Sequence, residues 1–277
     1  MGSVGVPEYG GRMSELPSAV AVRESGTGTP LVLLHAFPMN ASMWSSQLDT
    51  LPGLTGDGAR VLAPDQRGFG GTELGTDEPS LDAVADDLAL LLDAAGIERA
   101  VVCGISMGGY VALALARRHP GRLSGLLLAN TRATADTDAV RANRERIAAA
   151  VTARDSVQLL LDERVAAGQL GPDSQHLVER VQAMVAAAPP ASVAWAQRAM
   201  AARPDTLDVL AGLRVPVALV AGAQDALVAP EEAERMLRAR PDAELTVLPG
   251  VGHLSPLEAP GAFDAAVRSL LRRVAAG

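Results

Sequence analysis

What most limits the folds open to this chain is a set of six short, almost wholly apolar runs, at residues 31–34, 60–63, 100–103, 126–129, 217–221 and 245–248. Each ends in a polar or glycine-rich turn, and most lead into residues with helical spacing. A run apolar on both faces reads as a strand buried on both sides, and strands alternating with helices read as a parallel sheet. Right-handed crossovers then line up the strands' carboxyl ends along one edge, where open sheets of this kind bind ligands. The expected fold class is therefore α/β, with a mostly parallel central sheet flanked by helices. Helical patterns at 81–95, 107–118 and 260–274 fill the gaps.

Between residues 130 and 215 this alternation stops for about 85 residues, far beyond an ordinary connection of roughly 4–6 residues. The stretch has helical patterns at 138–153, 156–167, 174–188 and 192–202, punctuated by Gly168, Gly171-Pro172 and Pro189-Pro190. Helices inserted after a strand that ends on the ligand edge would roof the site. The expected division is a core of 18–130 and 215–277 with an inserted helical cap at 131–214. Residues 1–17 are glycine-rich without the apolar centre of a signal peptide, and read as a flexible leader.

Composition removes several chemistries. All 24 basic residues are arginines, so no lysine is present to form a Schiff base or a Ser/Lys dyad. Cys103 is the single cysteine, which rules out an intramolecular disulfide and a cysteine-built zinc site, and makes a reducing cytoplasm the simplest setting. It is expected as a small core residue of its strand. A net charge of −8 argues against a nucleic-acid partner. No stretch of about 20 apolar residues free of charge is present for a membrane span.

The segment Gly104-Ile105-Ser106-Met107-Gly108 matches Gly-x-Ser-x-Gly. In a glycine-rich chain the five residues alone are weak, and a turn that merely needs glycine would look similar. Their place between an apolar run and a helix gives them weight, because that context presents the serine hydroxyl at a strand-to-helix turn above the sheet. A hydroxyl needs a base, and the base needs a partner that fixes its tautomer. Of the four histidines, His119 falls at a helix C-terminus and His176 in the cap, both structural positions. His253 follows the last strand in Pro249-Gly250-Val251-Gly252-His253, and Asp225 follows the strand before it. Ser106, Asp225 and His253 thus stand in the chain order of one nucleophile-elbow arrangement, with the base and its orienting carboxylate on adjacent strand ends. The oxyanion donors expected are the backbone N–H groups of Met107, after the nucleophile, and Phe37, in the loop after the first run.

Taken together, Leu34-His35-Ala36-Phe37-Pro38, Pro64-Asp65-Gln66-Arg67-Gly68-Phe69-Gly70, Gly104-Ile105-Ser106-Met107-Gly108-Gly109, Gly222-Ala223-Gln224-Asp225 and Gly252-His253 resemble the α/β-hydrolase family, bacterial esterases in particular, from about Ser18 to the C-terminus. The resemblance implies a central eight-stranded sheet, structural roles for His35 and Arg67 at the cleft, and no metal or organic cofactor. It has one departure: the family usually has His-Gly-x-Pro in the oxyanion loop, and Ala36 takes the glycine's place. Dehalogenase and epoxide hydrolase relatives have aspartate where Ser106 stands, which disfavours those activities. The expectation is a cytoplasmic serine hydrolase acting on a small or medium carboxylic ester as its small-molecule partner, with Trp195, Leu227 and Leu254 helping to line an apolar pocket. Perhydrolases, haloperoxidases and C–C hydrolases keep the same triad and stay open, as does a non-enzymatic sensor on the same fold.

Overall fold

The computed structural model describes residues 12–13, 19–53 and 58–277. Eight strands, β1 Arg12–Met13, β2 Val22–Ser25, β3 Thr29–Leu34, β4 Ala59–Pro64, β5 Ala100–Ile105, β6 Leu123–Ala129, β7 Val217–Gly222 and β8 Glu244–Leu248, form one sheet in the order β1-β2-β4-β3-β5-β6-β7-β8. Only β2 runs against its neighbours; every pair from β4 to β8 is parallel. The six apolar runs became β3 to β8. Every residue of β5 and of β7 is buried, as strands covered by helices on both faces must be.

The two remaining strands lacked that signal. In β2 the sequence Val-Arg-Glu-Ser buries only Val22, so it pairs with β4 without an apolar run to announce it. Arg12–Met13 fall inside the expected leader yet pair with β2; most of that leader lies outside the described residues.

Helices cover both faces. Leu81–Ala94 starts at Ser80, whose side chain accepts the Asp82 N–H at 3.1 Å, an ordinary N-cap. Met107–Arg118 has every residue from Met107 to Ala116 buried. Its last turn carries Arg117 and Arg118, which favour the negative helix end and pair with Asp82 and Asp86. His119, at the same end, lies 2.6 Å from Asp86. Pro260–Ala275 packs against β6 and β7.

The helical insertion follows β6. Asp138–Arg154 and Pro190–Ala202 pack side by side as its main pair. The pattern at 156–167 suggested one helix, but the structure has two short ones, Gln158–Asp162 and Val165–Gly168, with Arg164 between them in the left-handed region at φ 53°. The pattern at 174–188 divides into a tight turn, Pro172–Leu177, and the helix Val178–Ala186. A further helix, Leu207–Gly212, leads back toward β7. Among the described residues no helix is long and apolar enough to cross a membrane.

Candidate active site

Ser106 sits between β5 and the Met107–Arg118 helix at φ 53° and ψ −116°, a conformation that L-residues other than glycine seldom hold and that clusters at functional sites. Its neighbours explain how the turn closes. A Cβ on Gly104 would lie 2.2 Å from the Gly108 carbonyl oxygen, and one on Gly108 would lie 2.2 Å from that of Leu34. The spacing of the motif is therefore a packing requirement of a tight turn against β3. The Ser106 N–H donates to Ala129 O at 3.0 Å, and the Thr131 hydroxyl donates to Ser106 O at 2.8 Å, so both its peptide groups are fixed by the end of β6.

The three side chains singled out by their positions meet here. His253 Nε2 lies 2.8 Å from Ser106 Oγ, and His253 Nδ1 lies 2.8 Å from Asp225 Oδ2. An ionised carboxylate only accepts, so Nδ1 carries the ring proton and Nε2 turns its lone pair toward the hydroxyl. His253 is 2% exposed and Asp225 7%. Burial alone would raise the Asp225 carboxyl, but the hydrogen bond from His253, with the N–H of Val228 and the Asn130 amide, holds it below the ordinary carboxylate value. Its Oδ1 accepts from Leu227 N at 2.9 Å and Val228 N at 3.0 Å, so the loop after β7 folds around the carboxylate.

Asn130 belongs to this arrangement and was not singled out. It directly follows β6 at φ 45°, where asparagine is better tolerated than most side chains. Its Nδ2 donates to Asp225 Oδ2 and to Gly252 O, both at 3.0 Å, while its Oδ1 accepts the Ser255 hydroxyl at 2.6 Å. One amide thus joins the carboxylate, the chain before His253 and the chain after it. The signal available was an asparagine directly after the fourth apolar run, a residue type common in turns.

The other candidates fall as follows. Met107 is the first helical residue, so its N–H has no intrahelical partner. Phe37 is in the loop after β3, and its carbonyl accepts from Gln169 Nε2 at 3.4 Å. Ala36 is fully buried and is not among the residues at positive φ, so the loop does not require the glycine it replaces. His35 clamps the loop. Gln66 N donates to Nε2 at 2.9 Å, which places the proton on Nδ1 facing Ala36 O at 3.0 Å, and Gln66 Nε2 donates to His35 O at 2.7 Å. Burial lowers the His35 pKa to about 4, against the raising effects of Ala36 and Asp65. Arg67 grips Asp87 through Nε at 2.8 Å and Nη2 at 2.7 Å, and also pairs with Asp77.

Of the expected pocket residues, Leu254 is fully buried and Leu227 is 48% exposed. Trp195 is buried, donates its indole N–H to Asp77 O at 2.9 Å, and lines a depression of ≈ 270 Å³ with Leu74, Pro79, Thr152, Pro190 and Arg198. Ser106, Asp225 and His253 are not on the walls of that depression. Cys103 is buried in β5, where burial raises its thiol pKa. His176 is exposed.

A mostly parallel eight-stranded sheet, a strained serine at the turn after β5 and a helical insertion after β6 define the α/β-hydrolase class. The family model for the alpha/beta hydrolase fold matches residues 29–260, and the chain belongs to that family. A thermophilic esterase from Thermogutta terrifontis, in a malate-bound structure, superposes with a TM-score of 0.86 at 36% identity, covering 95% of this chain and 97% of that one. 3-Oxoadipate enol-lactonase 2 of Acinetobacter baylyi is 27% identical over 248 residues, 88% of each chain. A 2-hydroxymuconate semialdehyde hydrolase of Pseudomonas sp. is 37% identical over 123 residues, 44% of this chain and 43% of the other.

Proposed function

We propose that the protein is a cytoplasmic serine hydrolase that cleaves small or medium carboxylic esters through an acyl-enzyme. The observation that carries this reading is the continuous chain Ser106 Oγ, His253 Nε2, His253 Nδ1, Asp225 Oδ2, with both contacts at 2.8 Å. The likeness to an esterase and to an enol-lactonase supports the ester class, in which a lactone is an internal ester. Residues 131–214 act as the cap over a core of 18–130 and 215–277.

Ser106 attacks the carbonyl carbon while His253 Nε2 takes the hydroxyl proton, and Asp225 stabilises the imidazolium that results. The oxyanion receives the N–H groups of Met107 and Phe37, a contribution of about 3–4 kcal/mol per donor where one has been removed from a comparable site. His253 then protonates the leaving alcohol, and the same nitrogen activates the water that frees the acid.

The test is turnover of short p-nitrophenyl esters, with fluorophosphonate labelling, by the wild type and by Ser106→Ala. The expected result is labelling of Ser106 and a fall in kcat of about four to six orders of magnitude in the variant. A folded wild type that neither labels nor turns over, or a variant that keeps its activity, would overturn the reading.

A further inference from the structure

We propose that Glu258 is a positioning residue that ties the cap to the loop bearing His253, so that seating the cap and placing the base are a single event. The inference rests on the hydrolase reading above.

Residues 169–171 form a strap between the Val165–Gly168 helix and the Pro172–Leu177 turn of the cap. This strap meets the loop 250–254. The His253 N–H donates to Gln169 O at 2.8 Å. Glu258, at the end of the short helix Ser255–Glu258, receives three backbone N–H groups: Gly171 at 2.8 Å and Gly252 at 3.0 Å on Oε2, and Leu254 at 2.9 Å on Oε1. One carboxylate therefore holds the residue on each side of His253 and the cap as well. Hydrogen bonds to an ionised acceptor are roughly twice as strong as neutral ones.

The strap also reaches the other side of the site, since Gln169 Nε2 donates to Phe37 O at 3.4 Å. Its close approach to the histidine loop depends on Gly171. The backbone there, φ −66° and ψ 166°, suits any residue, but a Cβ would lie 2.4 Å from Gly250 O and 2.8 Å from Gly252 N. Gly171 is small because the cap and the histidine loop touch through it. Asn130 holds the same loop from the core side through Gly252 O, so the chain before His253 is fixed from the sheet below and the cap above.

Two substitutions attack this link from opposite ends. Gly171→Ala drives a methyl between strap and loop without straining its own backbone, and Glu258→Gln places an amide NH₂ against at least one of three donors. Each variant and the double variant are assayed for ester turnover, for the rate of fluorophosphonate labelling of Ser106, and for amide hydrogen exchange in 168–173 and 250–257. Each single change is expected to lower kcat and the labelling rate about tenfold or more through displacement of the base. In the double variant the loss stays near that of the larger single change, because both break one link. Exchange should rise in both segments in either variant.

The proposal is overturned if the single effects multiply, if exchange rises only in the segment that carries the change, or if exchange rises in both while turnover and labelling stay at the wild-type rates. A merely structural role would lower Tm and leave the labelling rate of the folded enzyme unchanged. Should Glu258→Gln fail to fold, Glu258→Asp, which keeps the charge but shortens the reach to the three N–H groups, takes its place in the single and double variants. A wild type without Ser106-dependent turnover would defeat the hydrolase reading, and the exchange data would still settle whether strap and loop are joined.

Discussion

At the neck of the cap, Asp136 is held between Arg144 at 2.5 Å and Arg203 at 2.7 Å with its own side chain 0% exposed, whereas the strap is held by backbone N–H groups on one half-buried carboxylate. Around the neck, Arg203 lies over the Tyr110 ring at 3.9 Å and donates to Thr134 O at 3.1 Å. The returning chain closes there too, with Thr206 N donating to Ala133 O at 2.8 Å. The difference is one of replaceability. Each partner at the strap makes a hydrogen bond that water can replace, but a buried ion pair opened on one side leaves a charge that nothing compensates. The neck is the attachment that water cannot replace, and the strap is the one that it can.

Breaking the neck should have the largest effect on stability. Asp136→Ala leaves Arg203 and Arg144 facing an empty position, and removing one partner of a buried pair costs about 3–5 kcal/mol. Urea unfolding at neutral pH measures it; a loss below about 1 kcal/mol would mean that desolvation had already cancelled the pairing. Burial works to raise the Asp136 carboxyl, but Arg203 and Arg144 together lower it. A depressed carboxyl contributes above the unfolded pKa and loses its contribution as pH falls through the folded one. The neck should therefore hold at neutral and mildly acidic pH and weaken only below the ordinary carboxylate range.

The two attachments also differ in how far they were legible. The core announced itself because β3 to β7 bury most residues of both faces, although the run in β8 lies at an exposed edge, and the Met107–Arg118 helix is bounded by the serine turn and by His119-Pro120. Ser106 directly follows β5, and Asp225 and His253 lie in the loops just after β7 and β8, so finding those strands was enough to bring the three residues to one edge. Contacts made by polar side chains across distant segments leave no such trace. Asn130, Asp136 and Glu258 each look like a turn or surface residue, and only the fold brings partners from 95, 67 and 87 positions away in sequence. The broken helix at Arg164 was equally hidden, since neither glycine nor proline marks it. Leu227 was expected for its side chain, but what the structure assigns to Asp225 is its N–H.

The loop under the strap gives a second, pH-dependent way to separate anchor from edge. Phe37, which the strap touches, follows the His35 clamp, and burial lowers the His35 pKa from 6.5 to about 4. With the folded pKa below the unfolded one, the neutral ring stabilises the fold fully above pH 6.5, and that contribution is lost as pH falls toward 4. The loss amounts to about 3 kcal/mol at most, from the size of the shift. Stability measured in urea between pH 7.5 and 4.5 should fall in the wild type and be flatter in His35→Gln, although that variant starts from a lower value. Equal slopes would show that His35 is not the group being titrated.

Trp195 tests the cap where it meets the core by neither charge nor strap. Its indole N–H donates to Asp77 O at 2.9 Å, and Asp77 is exposed, so water can take over the carbonyl when the donor is removed. Trp195→Phe keeps an aromatic ring in the cap and should cost about 1 kcal/mol, the ordinary net value of one neutral hydrogen bond. Its effect on turnover is more informative than its effect on stability. Ser106, Asp225 and His253 do not wall the depression that Trp195 lines beside Pro190 and Arg198, and KM should stay within about twofold of the wild type. A rise in KM of about fivefold or more at constant kcat would be a loss of uniform substrate binding, and would put this face of the cap against the substrate.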